Sequence, residues 1–210
     1  MRIQAFKFLV ITIVIISSFS FYSLYSKEEL TKYTYHDKNI QPLATGFNTL
    51  FAGSGECEAC HGATGQGPNP SALSDNNGND VSPVTDWRAT MMANSAKDPL
   101  WRAKVSHEGM VNPAHKDELE TTCTACHAPS GNKDAIHNGA LHYLISDLEN
   151  DPIGLDGVNC TACHSMSPNN LGSVFSAQME YDTNHIIYGP YLNPVQGPMI
   201  NNIGFTPEQG

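Results

Sequence analysis

The residues of this chain with the clearest chemistry are its cysteines. All six fall in three copies of one pentapeptide, Cys57-Glu-Ala-Cys-His61, Cys123-Thr-Ala-Cys-His127 and Cys160-Thr-Ala-Cys-His164. Two thiols at this spacing, followed directly by an imidazole, are the attachment signature of c-type haem. Each thiol can add to one vinyl group of the same porphyrin, while the histidine lies under the iron and ligates it. The pattern therefore assigns covalent attachment to Cys57, Cys60, Cys123, Cys126, Cys160 and Cys163, and the proximal iron position to His61, His127 and His164. Three haem c groups are expected.

Two other chemistries use paired cysteines. Zinc ribbons and knuckles close a tetrahedron from two pairs. Three pairs leave one unmatched, and zinc does not call for a histidine after every second cysteine in a chain with only 9 histidines. A dithiol redox site is expected once, beside a βαβ pattern that is not legible in this sequence.

A six-coordinate iron needs a second axial ligand. Outside the pentapeptides the chain offers His36, His107, His115, His137, His142 and His185. His107, His115 and His142 fall on predicted helices near the motifs, and His185 follows the third motif by a short connection that can fold back, so these four are the candidate distal ligands. His137, beside polar Asn138, and His36, in a polar stretch, rank below them. Met91 and Met92 are read as packing residues beside Trp87. Ligation separates the functions: a haem with two protein ligands passes electrons, whereas one with an open position can bind and turn over a small molecule. The surplus of histidines favours closed sites. Cys123 and Cys160 are the closest motifs in sequence, which makes their haems the expected neighbours in a relay.

The elements that must position these groups are short helices. Thr85 or Asp86 can cap one with Trp87, Met91 and Met92 as apolar positions, and Asp98-Pro99 caps and starts another presenting Trp101, Val105 and His107. Asn112-Pro113 starts a third, carrying His115 and Leu119 into Cys123. After Gly131 the pattern predicts a fourth from Asp134 to Glu149, ended by Asp151-Pro152. Residues 62–83 read as an irregular loop, in which Asp75, Asn77, Asn79 and Asp80 lack the register and closing glutamate of a calcium loop. The tail after His164, with Tyr188-Gly-Pro190 and Asn193-Pro194, reads as extended and loop-like. With 17 Gly and 13 Pro, the expected fold class is mainly α and loop-rich, short helices around packed haems with little or no sheet. Porphyrin faces would supply much of the apolar core, so haem-free protein is expected to be poorly folded.

Residues 1–26 carry Arg2 and Lys7, then an apolar run from Phe8, and no acidic residue, which is how an export signal looks. Ser18-Phe-Ser20 offers a small-x-small cleavage site. Read on to Tyr25 the run is long enough for a marginal anchor, but its serines make it weakly apolar and favour cleavage. Export agrees with covalent haem, which is attached outside the cytoplasm. Residues 27–52 read as a spacer, and 53–210 as the multihaem domain. Without residues 1–26 the chain has 9 basic and 21 acidic residues, a balance of −12. That excludes nucleic acid as a natural partner and suits solubility or basic docking partners; a membrane enters only if the N-terminal segment is uncleaved.

Three stretches carry a family resemblance: Trp87-Arg-Ala-Thr-Met-Met-Ala-Asn-Ser-Ala-Lys-Asp-Pro-Leu-Trp101, Asp156-Gly-Val-Asn-Cys-Thr-Ala-Cys-His164 and Tyr188-Gly-Pro190. Together they resemble bacterial periplasmic multihaem cytochromes c, nearest to the cytochrome c-554 and hydroxylamine-oxidoreductase-like group. The resemblance spans Cys57 to Gly210. It implies a helical, loop-rich fold with packed haems, largely bis-histidine ligation, and electron transfer in the periplasm or at the cell surface of a bacterium. The implied partners are redox proteins, other multihaem cytochromes among them. Members often carry more than three haems, and the chain reads as a C-terminally truncated member, in which case some of the surplus histidines serve a haem attached further on. The alternative is a multihaem oxidoreductase that oxidises or reduces a small nitrogen or sulfur compound at one open haem.

Overall fold

Proline and small capping residues set most helix starts. The computed structural model describes residues 42–63, 73–169, 171–173, 175 and 178–210. The expected signal segment 1–26, and the part of the spacer that holds His36, lie outside the described residues. Leu43–Gly210 form one compact unit. In chain order its helices are α1 (Gly55–His61), α2 (Pro83–Trp87), α3 (Met91–Asn94), α4 (Pro99–Val111), α5 (Lys116–His127), α6 (Pro129–His137), α7 (Ile145–Leu148), α8 (Pro152–Leu155), α9 (Cys160–His164) and α10 (Gly197–Ile203). Strands β1 (Ile186–Gly189) and β2 (Thr206–Gln209) flank α10 and pair in parallel, Ile186 opposite Thr206 and Gly189 opposite Gln209. The fold is thus mainly α and loop-rich, with a small two-stranded sheet. Among the described residues no helix is long and apolar enough to cross a membrane.

The Asp98-Pro99 start of α4 is as the sequence implies: the Asp98 carboxylate accepts from Leu100 N, and Pro99 occupies the first turn, where its missing N–H costs nothing. Trp101, Val105 and Gly109, four apart, form the buried stripe of α4. The helix stops at Asn112 because Pro113 disfavours helical backbone in the residue before it. A 3-10 turn over Pro113–His115 then leads into α5, whose first turn carries Asp117 and Glu118 against the positive end of its dipole.

Elsewhere the helices differ from the sequence expectation. The helix expected through Trp87, Met91 and Met92 is two: α2 starts at Pro83, and Thr90 turns extended, its hydroxyl accepting from Ala93 N to begin α3 afresh. Met91 and Met92, expected to pack, are 75% and 50% exposed. The helix expected over Asp134–Glu149 is α6 followed by a loop and the short α7. Gly139 breaks it, with a φ of +94, and Asn138 closes α6 by donating to Asp134 O. The expected extended tail contains α10 and the parallel pair.

Two apolar clusters hold the unit together. Ala96, Trp101, Val105, Ala128, Tyr143 and Leu148 form one, with Cys123 packed against it. Leu50, Phe51, Ile153 and Ala162 form the other, with Tyr181 at its edge. The second cluster draws on residues assigned by sequence to the end of the spacer. Leu50, Phe51 and Ala52 are buried, and burying a side chain such as Phe51 stabilises by about 1.5–3 kcal/mol.

Candidate functional site

Each pentapeptide forms a short helix or the end of one, which puts its two thiols on neighbouring turns and its histidine at the C-terminal edge. The first is α1. Cys57 is buried, Cys60 exposed and His61 half-buried. Arg88 Nη1 holds Glu58 Oε1 at 2.9 Å, and Ala63 N donates to Thr85 Oγ1 at 2.9 Å, so α2 is tied to both ends of the motif.

The second motif ends α5. Cys123, Cys126 and His127 are half-buried. The His127 ring lies on the Trp101 indole, ring centres 4.4 Å apart and planes within 7°. Its Nδ1 is 3.3 Å from Ser95 O. A carbonyl can only accept, so Nδ1 carries the proton and Nε2 keeps its lone pair. Ser95 grips the motif a second time, its hydroxyl donating to His127 O at 2.8 Å.

The third motif is α9. Asn159 is fully buried and caps it: its Oδ1 accepts from Ala162 N at 2.8 Å, while its Nδ2 donates to Ala52 O at 3.1 Å. His164 is exposed, with Nδ1 2.7 Å from Tyr188 O on β1. The same reasoning leaves Nε2 bare. Gly157 lets the chain enter α9: its φ is +72, and a Cβ there would stand 2.6 Å from Met92 O.

The first and third motifs are stitched together. Thr161 Oγ1 donates to Ala52 O at 2.9 Å, and buried Asp156 accepts from Ser54 N at 2.8 Å. Cys160 Sγ donates to Ser54 Oγ at 3.7 Å. These contacts bring Cys57 and Cys160 near enough to act on each other: interaction with Cys160 and then burial push Cys57 far up, and interaction with Cys57 draws Cys160 down. Sequence spacing points to the second and third motifs as neighbours; the thiols that act on each other belong to the first and third. Burial raises Cys123 and Cys163.

Comparison with protein-family models, curated proteins and solved structures finds no match. What the chain's groups can do therefore rests on their own geometry.

The four candidate distal histidines are placed differently. His142 Nδ1 lies 3.3 Å from Thr121 Oγ1. That hydroxyl spends its proton on Asp117 O at 2.7 Å, so His142 Nδ1 donates and Nε2 is again the bare nitrogen. His185 has φ +53 and stacks on buried Phe205, and its Nε2 donates to Thr49 O at 2.9 Å, which leaves only the Nδ1 side. His107 on α4 and His115 before α5 are exposed. Sequence reasoning missed three groups found here. Ser95 and Tyr188 act through backbone carbonyls, which any residue supplies, whereas Asn159 stood directly before a motif as a capping residue. Among the described residues no three His, Cys, Asp or Glu side chains converge on one point suited to a bare metal ion.

An unpartnered buried donor and an exposed apolar surface lie beside the second motif, as a large, mainly apolar bound group with acceptor atoms would require. Trp101 Nε1 is buried without a hydrogen-bond partner, a donor beside His127 that an acceptor on a bound group would satisfy. Met91, Met92 and Leu100, which flank the segment holding His127, are all at least half exposed, an apolar surface of the kind that marks a binding face.

Proposed function

We propose that this protein is an exported c-type cytochrome that relays electrons between redox partners through three covalent haems. The pairs Cys57/Cys60, Cys123/Cys126 and Cys160/Cys163 hold the haems; His61, His127 and His164 are the proximal ligands. The observation that carries the reading is the approach of Nδ1 to a backbone carbonyl at both His127 and His164, which leaves Nε2 as the nitrogen to ligate iron. A second-shell partner of this kind fixes the ring and raises the basicity of the ligating nitrogen. When bound, haem supplies a one-electron redox centre. The chain's residues anchor it, orient its proximal imidazole and exclude water from part of it.

His142, with Nδ1 anchored and Nε2 free, is the best-prepared distal ligand among the four candidates. The hydrogen bonds that tie the first motif to the third support their haems as the close pair of the relay. The acidic balance suits partners with basic docking faces. The resemblance to periplasmic multihaem cytochromes belongs to this proposal, as do delivery by residues 1–26 and residence in the periplasm or at the cell surface.

A haem-stained denaturing gel tests the reading, since only covalent haem keeps its colour there. Staining equivalent to three haems is expected; colourless protein containing zinc would end it. The second reading, an oxidoreductase acting at one open haem, is favoured by His185, whose Nε2 is engaged by Thr49 O and so is not available to an iron as it stands. A dominant high-spin ferric EPR signal, with turnover of hydroxylamine or nitrite, would select it.

A further inference from the structure

We infer that Trp101 is a positioning residue for the iron of the middle motif: its indole fixes the plane of the His127 imidazole and lowers the reduction potential of that haem. The inference rests on the haem reading above and concerns one site only. Two contacts hold the His127 ring. The Ser95 carbonyl fixes Nδ1 at 3.3 Å, and the indole, parallel within 7° and 4.4 Å away, blocks rotation about the Cβ–Cγ bond. His164 has the carbonyl contact alone and is exposed.

The stacked ring also acts on charge. An imidazole bound to ferric iron carries more positive charge than one bound to ferrous iron. The face of an indole is electron-rich and attracts cationic groups, tryptophan more strongly than phenylalanine. Burial strengthens that attraction because little water screens it, and Trp101 is only 8% exposed. The ferric form gains more than the ferrous, so the potential falls. Val105, one turn along α4, and Ala128, directly after His127, belong to the same buried cluster. They hold the indole in place, so the effect is built into the core.

The test compares Trp101→Phe and Trp101→Met with the wild-type protein by covalent haem count, EPR and spectroelectrochemical titration. The middle haem is assigned as the one that Cys123→Ala/Cys126→Ala removes. With three haems retained, Trp101→Met is expected to raise the potential of the middle haem alone and to broaden its low-spin EPR signal, while Trp101→Phe shifts both in the same direction by less. Unmoved potentials and spectra in both variants would overturn the inference, as would equal movement of all three haems. If Trp101→Met loses haem, the Phe variant decides alone: a small upward shift confined to the middle haem supports the inference, and no shift rejects it. Wild-type protein without covalent haem would instead defeat the functional reading.

Discussion

The second and third motifs share the sequence Cys-Thr-Ala-Cys-His and differ in almost everything around it. His127 ends a three-turn helix, stacks on Trp101 and is half-buried; His164 ends a helix of five residues and faces solvent. Both nonetheless place Nδ1 on a backbone carbonyl, one from Ser95 and one from Tyr188 on β1. The comparison teaches that the pentapeptide fixes which atoms can react, while the packing around it decides how freely the imidazole turns and how much water it meets. A relay needs such differences, because sites of identical environment give the electron no preferred direction.

The comparison can be broken most forcefully at the thiols. Cys123→Ala/Cys126→Ala and Cys160→Ala/Cys163→Ala are each expected to remove one third of the covalent haem absorbance. Since the third motif is stitched to the first, only the second of these pairs should also disturb the remaining spectrum; equal disturbance by both would show that the stitching does not matter.

Next in size is Asn159→Ala. It removes the cap of α9 and leaves Ala52 O without one of its two side-chain donors, with an expected loss of roughly 2–4 kcal/mol in a denaturant melt. No comparable side-chain cap starts α5, so the equivalent position at the second motif, Thr122→Ala, should cost under about 0.5 kcal/mol. Gly157→Ala should follow closely, at about 2 kcal/mol or more, because it combines a left-handed backbone with a collision against Met92 O. An unchanged melting curve for that variant would mean that the approach of α9 to α3 is looser than described. Tyr181→Phe, which removes a hydroxyl donating to Ala162 O at 2.8 Å, is the smallest test, at about 1 kcal/mol confined to the third motif.

Some of this was legible in the sequence for identifiable reasons. The motifs are local, and the Asp98-Pro99 start of α4 is a local cap, so both could be read directly. Asn138-Gly139 is a local stop, but the apolar spacing of Ile136, Leu141, Leu144 and Leu148 reads as one helix across it. The structure uses that spacing partly in a loop, leaving Leu141 87% exposed. Leu50-Phe51-Ala52 has no helical or strand period, and its place in the core follows from contacts with Thr161 and Asp134 across more than 80 positions. The nearness of Cys57 and Cys160 depends on hydrogen bonds of similar range, Ser54 to Asp156 and Thr161 to Ala52, which spacing along the chain does not encode. Of the four candidate distal ligands, sequence could supply the residue type only. Which ring nitrogen is left bare depends on neighbours such as Thr121 and Thr49.

The most direct test of the central claim is the mass of each motif-bearing peptide after proteolysis of the purified protein. The account predicts that the peptides containing Cys57/Cys60, Cys123/Cys126 and Cys160/Cys163 each carry the mass of one haem, with no free thiol among the six cysteines. Peptides of unmodified mass, whether as free thiols or as disulfides, would contradict it.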